Sequence, residues 1–111
     1  MSDPQEPIIV TTRVDQGAAL IALTGELDLH SSGVLGEAMD EVLAASPAPS
    51  AIDIDASGLS FADSAGLRAL LLARNDASDR GIAFRVTRVS EPLGRLLEMT
   101  GLREILGVTV S

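Results

Sequence analysis

The sequence predicts an α/β domain in which a four- to five-stranded mixed β-sheet carries three to four helices, packed mainly on one face. Two strand-like runs near the amino terminus are separated by a short turn, which predicts a β-hairpin. Helical and strand-like patterns then alternate along the chain, which predicts parallel strands joined by right-handed crossovers. The length of 111 residues is that of one domain.

The hairpin is predicted from two runs at the start of the chain. Residues 8–14 are rich in β-branched side chains, and residues 18–24 are apolar at both alternating sets of positions. The second pattern is typical of a strand buried on both faces. Residues 15–17 form the turn. Residues 1–7 are polar with two prolines and predict a flexible N-terminal tail, which leaves residues 8–111 as the domain.

The first helix is predicted after Ser31 or Ser32, either of which can cap it. Its apolar side chains recur at helical spacing and predict a buried stripe made of Leu35, Ala38, Met39, Val42 and Leu43. A loop rich in proline and serine follows at residues 46–50. Residues 51–56 alternate between apolar and polar side chains, as a strand with one solvated face does.

The second helix is predicted to open at the Asp-Ser stretch and to contain the strongly helical run at residues 67–78, with Gly81 after its end. Residues 82–87 alternate again and predict a strand. Ser90 is the predicted cap of a third helix that ends at Gly101. Residues 108–110 predict a short last strand, which would be the fifth.

Composition excludes several classes of function. There is no cysteine, which removes disulfides, thiolate metal sites and thiol catalysis, and fits a reducing compartment. All eight basic residues are arginine, which excludes a P-loop lysine and Schiff-base chemistry. The net charge of −8 argues against direct binding of nucleic acid or anionic lipid. Without a signal-peptide pattern or a membrane-spanning apolar run, we expect a cytoplasmic protein that does not enter the membrane.

The stretch from residue 59 to residue 67 stands at a strand-to-helix junction and organises the chain. Asp63 is the natural N-cap and Ser64 the first exposed hydroxyl. The free N–H groups and the dipole at a helix start favour negative charge, so a phosphate on Ser64 would be tolerated there. Ser64 as a simple helix cap is the alternative. We interpret it as a regulatory switch rather than a nucleophile.

Three blocks carry a family resemblance. They are LTGELD at residues 23–28, DSAGL at residues 63–67 and LLEMTGL at residues 96–102. Together, in this order and spacing, they resemble the bacterial anti-sigma factor antagonists, the founding members of the STAS domain family. The match covers roughly residues 8–110, and it implies a STAS-like single domain.

The resemblance implies partner switching in transcription regulation, in stress response or sporulation. The dephosphorylated antagonist of such a family binds an anti-sigma factor that is itself a GHKL-type serine kinase, and so releases a sigma factor. The kinase then phosphorylates the antagonist and breaks the complex, and a PP2C-type phosphatase resets it. On this chain the resemblance makes Ser64 the phosphorylation site. It implies a partner-binding set made of Glu26, Asp28, Asp63, Ser64, Ala65 and Gly66.

Ala65 departs from the family pattern, which often has serine or threonine there, so Ser64 is the only hydroxyl within the signature. Simpler structural roles stay open for the other residues. Asp28 is equally suited to be a loop or capping carboxylate, and Asp63 a plain cap. Gly66 suits close packing against either a partner or the core.

An enzyme is not expected. The stretch around Ser64 falls one residue short of a nucleophile elbow, and a hydrolase needs a histidine after the serine, whereas His30 is the only histidine and precedes it. No metal site or cofactor is expected, because Asp53 and Asp55 read as solvated strand positions. The alternative function, within the same fold, is a STAS regulatory subunit of an ABC lipid-transport system or a stress-signalling scaffold.

Overall fold

The chain folds as an initial hairpin followed by alternating helices and strands. The computed structural model describes residues 8–109, so the tail predicted at residues 1–7 lies outside the described residues. The elements in chain order are β1 (Ile9–Asp15), β2 (Ala18–Leu27), α1 (Ser32–Leu43), β3 (Ala51–Ala62), α2 (Ser64–Asp79), β4 (Ala83–Val89) and α3 (Glu91–Thr100).

The strands form one mixed sheet in the order β1-β2-β3-β4. β1 is antiparallel to β2, and β2 is parallel to β3, which is parallel to β4. α1 and α2 connect the two parallel pairs. The predicted α/β fold is therefore confirmed, with four strands and three helices in the described part of the chain.

The fifth strand, predicted at residues 108–110, is reduced within residues 8–109 to a single bridge between Val108 and Val86. The Val86 N–H donates to the Gly107 carbonyl oxygen at 3.2 Å, and the Thr109 N–H donates to the Val86 carbonyl oxygen at 3.1 Å. The chain reaches the edge of β4 only after Gly107, whose φ is +65°. Pairing therefore begins only at Val108, and residue 110 lies outside the described range.

One face of the sheet carries the hydrophobic core. Side chains from the strands and from all three helices belong to one buried cluster, which includes Ile21, Leu23 and Leu27 of β2, Ile52 and Ile54 of β3, Leu35 and Met39 of α1, Leu67 and Leu70 of α2, and Leu93 and Leu97 of α3. The helices thus pack mainly on one face, as predicted, and the burial of these side chains is the main stabilising contribution to the fold.

The prediction that residues 18–24 are buried on both faces is wrong. One alternating set of β2 side chains is buried, but Leu20 and Ala22 on the other face are only half-buried. Their neighbours on the outer face are polar: the Arg85 guanidinium donates to both carboxylate oxygens of Asp53, at 2.9 and 3.1 Å. Neighbouring strands shield these small and medium apolar side chains only partly. In the sequence, the same residues give the pattern of a fully buried strand.

β3 is longer than predicted, since it runs to Ala62 instead of ending at residue 56. Ser57 and Gly58 have the composition of a turn, but Gly58 instead lies against β2, where a Cβ would be 2.8 Å from the Leu23 carbonyl oxygen. Register shifts then let the pairing continue until Leu27 pairs with Ala62. As a result, β2 and β3 end side by side.

The predicted ends of α2 and α3 are confirmed, whereas Ser31 lies at the N-cap position of α1 but its side chain makes no capping hydrogen bond there. Ser90 is the N-cap of α3, and its hydroxyl accepts a hydrogen bond from the Leu93 N–H at 3.4 Å. Gly101 ends α3, and Gly81 follows the end of α2 with a positive φ, as predicted. The stripe of α1 is buried at Leu35, Met39 and Leu43, whereas its remaining two members, Ala38 and Val42, are half-buried.

Candidate functional site

The site lies where the parallel strands β2 and β3 end at the same edge of the sheet. Leu27 and Ala62 are register partners at the last position of each strand. The Asp63 N–H also donates to the Leu27 carbonyl oxygen at 3.4 Å. Asp28 and Asp63 therefore leave the sheet next to one another, although 35 positions separate them in the sequence (63 − 28).

Asp63 is the N-cap of α2. Its backbone is extended, and its carboxylate accepts a hydrogen bond from the Gly66 N–H at 2.9 Å. Its carbonyl oxygen accepts one from the Leu67 N–H at 2.9 Å. Asp63 thereby satisfies donors that the helix start leaves unpaired, and the predicted capping role is confirmed.

Ser64 is the first residue of α2 and is exposed. Within residues 8–109, no backbone or side-chain group forms a hydrogen bond with its hydroxyl. The N-terminal end of a 16-residue helix lies directly beneath it, and the partial positive charge of that end favours negative charge on the residue. The hydroxyl is thus free to be modified without loss of an internal contact.

Gly66 is buried and packs against the core strand. A Cβ at this position would collide with the Leu27 carbonyl oxygen and lie 2.9 Å from both the carbonyl carbon and Cγ of Leu27. The absence of a side chain lets the first turn of α2 lie directly on the end of β2. Of the two roles left open for Gly66, the structure supports packing against the core.

Asp28 organises the turn between β2 and α1. It is nearly buried, with 7% of its surface exposed. Its carboxylate accepts hydrogen bonds from the N–H groups of His30 and Ser31, both at 3.0 Å. The Asp28 N–H donates to the Ser31 hydroxyl at 2.9 Å, which in turn donates to the Glu26 carbonyl oxygen at 2.6 Å. Of the two simpler roles left open for Asp28, the structure supports that of a loop carboxylate, because His30 and Ser31 precede Ser32, the first residue of α1. Its contact with a partner stays a prediction.

The hydrogen bonds to Asp28 lower the pKa of its carboxyl group below the ordinary 3.8. Burial raises this pKa, but the hydrogen bonds from Ser31 and His30, together with the nearby His30 ring, outweigh burial. Because the folded pKa lies below the unfolded pKa, the ionised carboxylate stabilises the fold above the unfolded value. That stabilisation is lost as the pH falls through the folded pKa.

We therefore expect Asp28→Asn to make folding less sensitive to acid. Between about pH 5 and pH 3, the free energy of unfolding of the variant should fall less steeply than that of the wild type. Urea unfolding followed by far-ultraviolet circular dichroism at several pH values measures this slope. Asp40→Asn, which changes an exposed carboxylate on α1 outside the Asp28 turn, is the matched control and should follow the wild type. Equal slopes for Asp28→Asn and the wild type would contradict the assigned hydrogen bonds.

Three of the predicted residues line one open cleft. Glu26, Asp28 and Asp63 are joined there by two apolar side chains, Leu29 and Phe61, and by His30. Leu29 is 72% exposed and Phe61 is 44% exposed. Exposed apolar and aromatic side chains bordered by polar groups suit contact with another protein. Within the described part of the chain, no group of three or more acidic or histidine residues could hold a metal ion.

Ala65 lies outside this cleft. It lines a neighbouring groove of about 420 Å³ between α1 and α2, together with the exposed side chains of Leu29, Arg68 and Leu72. Leu29 belongs to both the cleft and the groove, so the two are continuous. Ser64 lies in the chain between Asp63, which lines the cleft, and Ala65, which lines the groove. Sequence reasoning missed Leu29, Phe61 and this groove, because no local pattern shows which apolar side chains remain exposed.

Comparison with known proteins gives concordant matches. The family model described as "Mlab, STAS domain" matches residues 10–107. The anti-sigma-F factor antagonist RsfB of Mycobacterium tuberculosis is 33% identical over 102 residues, covering 92% of this chain and 80% of RsfB. The anti-sigma F factor antagonist of Paenibacillus polymyxa is 31% identical over 93 residues, covering 84% of this chain and 79% of that protein.

A similar fold is found in the crystal structure of an anti-sigma factor antagonist from Mycobacterium paratuberculosis. The TM-score is 0.82, with 23% identity, over 100% of this chain and 92% of that chain. At this identity the likeness concerns the fold. Among residues 8–109, no helix has the length and apolar character needed to cross a membrane.

Proposed function

This chain belongs to the STAS domain family of anti-sigma factor antagonists, and from that premise we propose that it is a switchable antagonist of an anti-sigma factor. Its dephosphorylated form binds the anti-sigma factor, a serine kinase of the GHKL type, and releases the sigma factor. Phosphorylation of Ser64 ends binding, and a PP2C-type phosphatase restores it. The observation that carries the proposal is the exposed, unengaged hydroxyl of Ser64 beside an acidic and apolar cleft.

The position of Ser64 supports the proposal in two ways. A kinase can reach the hydroxyl, because Ser64 is exposed on the first turn of α2. The phosphorylated residue can also remain in place, because the helix dipole and the free N–H groups of the first turn favour negative charge. Phosphorylation at this point therefore changes the surface without requiring the fold to change.

The partner surface that we propose is centred on Ser64. Glu26, Asp28 and Asp63 provide its acidic part, and Ala65 provides its apolar part on the groove side. Gly66 belongs to the site through packing, since it is buried and sets the position of the Ser64 turn. A phosphate adds a charge of about −1.5 to −2 next to these carboxylates. The phosphate would leave no room for an anti-sigma factor surface that fits closely, and it would repel one that is itself acidic.

In the proposed function the protein acts by binding a partner and has no catalytic activity of its own. Hydrolysis by a serine nucleophile needs a histidine base within reach of the serine. His30 instead belongs to the Asp28 turn, where its backbone N–H donates to the Asp28 carboxylate. We further propose that it acts in the cytoplasm without direct contact with nucleic acid, in keeping with its net charge of −8.

The test is a kinase reaction followed by intact mass measurement. The wild type is incubated with ATP and the anti-sigma kinases encoded in the same genome, in parallel with Ser64→Ala. Ser32→Ala is the matched control, because Ser32 is likewise the first residue of a helix. We expect one added phosphoryl group on the wild type and on Ser32→Ala, and none on Ser64→Ala.

Two outcomes would contradict the proposal. If Ser64→Ala gained the same phosphoryl group, the modification site would be another residue. If the wild type were not modified by any of these kinases and instead bound the ATPase of a transport system, the chain would be a STAS regulatory subunit of an ABC lipid-transport complex. Ser64 would then be no more than the first residue of a helix.

A further inference from the structure

Arg68 lies on the same face of α2 as Ser64, one turn further along the helix. Residues four apart in an α-helix are surface neighbours, with Cβ atoms about 5–6 Å apart. Helical side chains also lean toward the amino-terminal end of the helix, so the side chain of residue 68 covers the turn that contains residue 64. Arg68 is exposed. Its guanidinium group can therefore reach a group attached to the Ser64 oxygen.

Arg68 has no competing partner in the described part of the chain. Arg85 pairs with Asp53 and Arg95 with Glu91, whereas within residues 8–109 the side chain of Arg68 forms neither an ion pair nor a hydrogen bond. The nearest carboxylate lining the same groove is Asp76, which is eight residues further along α2. A guanidinium that is exposed and unpaired is available to a new anion.

Arg68 is the cation best placed to offset a phosphate on Ser64, because it lies one helical turn away on the same helix. Asp63 precedes Ser64 in the chain, and the cleft that Asp63 lines holds two further carboxylates, Glu26 near the end of β2 and Asp28 in the turn that follows. Among the residues that line the cleft and the groove, Arg68 is the single arginine. A negative group placed four residues before an arginine is also the favoured orientation for an intrahelical pair.

We propose that Arg68 binds the phosphate of phosphorylated Ser64 within the same helix. The inference rests on the proposed phosphorylation of Ser64 and adds its structural consequence. An arginine can donate two parallel hydrogen bonds to a phosphate, which fixes the group in one place. The phosphate is then held along the first turn of α2, on the side of the groove, rather than extending freely into solvent.

This pair changes two parts of the surface at once. The phosphate adds negative charge beside the cleft, and Arg68 is withdrawn from the edge of the α1–α2 groove. A partner that used Arg68 in the dephosphorylated state would lose that contact upon phosphorylation. Phosphorylation thereby alters the groove that contains Ala65 as well as the immediate surroundings of Ser64.

The test uses phosphoserine incorporated at position 64 during translation, so that it does not depend on any kinase. The second pKa of the phosphate, ordinarily about 6, is measured by phosphorus-31 NMR in the otherwise wild-type protein and in Arg68→Gln. Arg74→Gln is the matched control, because Arg74 lies on the same helix about 15 Å from Ser64. Circular dichroism verifies that each variant is folded.

We expect the phosphate pKa to be higher by about 0.3 in Arg68→Gln than in the other two proteins, with the difference shrinking in high salt. Equal pKa values in the three proteins would overturn the inference. Failure of the kinase reaction described above would contradict the proposed function but would not change the phosphate pKa measured with incorporated phosphoserine. If the phosphate pKa were unchanged in Arg68→Gln while the kinase phosphorylated Ser64 as expected, only the role proposed for Arg68 would be contradicted.

Discussion

Replacing Gly66 with alanine is expected to destabilise the folded protein by about 3 kcal/mol, because overpacking against backbone atoms is poorly relieved. The new methyl group would collide with the Leu27 carbonyl oxygen, and the Leu27 carbonyl carbon would lie 2.9 Å away. To make room, α2 would have to move off the end of β2. The Ser64 turn would move with it, so binding to the partner should also be lost.

Gly36→Ala is the matched control for this experiment. Gly36 lies within α1, and a Cβ there would meet nothing within 4 Å. Alanine favours the helix over glycine, so this variant should be more stable than the wild type by about 0.5–1 kcal/mol. Urea unfolding followed by far-ultraviolet circular dichroism is the suitable measurement, since the chain has no tryptophan or tyrosine. A Gly66→Ala variant as stable as the wild type would contradict the close packing of α2 on β2.

Phosphorylation of Ser64 is expected to weaken binding to the anti-sigma factor about 30- to 150-fold, which corresponds to about 2–3 kcal/mol. The added charge follows Asp63 directly in the chain, and Asp63 lines the acidic cleft of the proposed partner surface together with Glu26 and Asp28. Calorimetric titration of the anti-sigma factor with the unmodified protein and with the protein carrying phosphoserine at position 64 measures the ratio of dissociation constants.

Phosphoserine at position 78 is the matched control for this titration. Ser78 is exposed in the last turn of α2, far from Ser64 along the same helix. The protein modified there should bind like the unmodified protein. Equal weakening by both modifications would mean that net charge, rather than the position of the phosphate, reduces binding. No weakening by either would contradict the proposed switch.

Much of the fold could be predicted because local patterns and final structure agree. The Asp63 cap, the Ser90 cap and the glycines after α2 and α3 are local features, each determined by a few neighbouring residues. The order of hairpin and alternating elements then restricted the topology to a mixed sheet. Features that depend on distant segments could not be predicted. The extension of β3 through Gly58 depends on how closely β2 approaches it, which no local pattern records.

For the candidate site, too, local features could be predicted from the sequence and features that depend on distant segments could not. The motif around Ser64 indicated the residue at the helix start, and the exposure of its hydroxyl agrees with that interpretation. The contributions of Leu29 and Phe61 could not be predicted, because their exposure depends on where the strands end and on which face the helices cover. The role of Gly66 was ambiguous in sequence and became clear only when Leu27 was placed against it.

The most direct test of the account is the release of a sigma factor from its complex with the anti-sigma factor. Unmodified protein is added to the preformed complex, and free sigma factor is measured by size-exclusion chromatography. We predict that the unmodified protein releases the sigma factor, and that the protein with phosphoserine at position 64 does so only at much higher concentration. If the unmodified protein, at saturating concentration, left the sigma factor bound for every anti-sigma factor encoded in the same genome, the proposed function would be wrong.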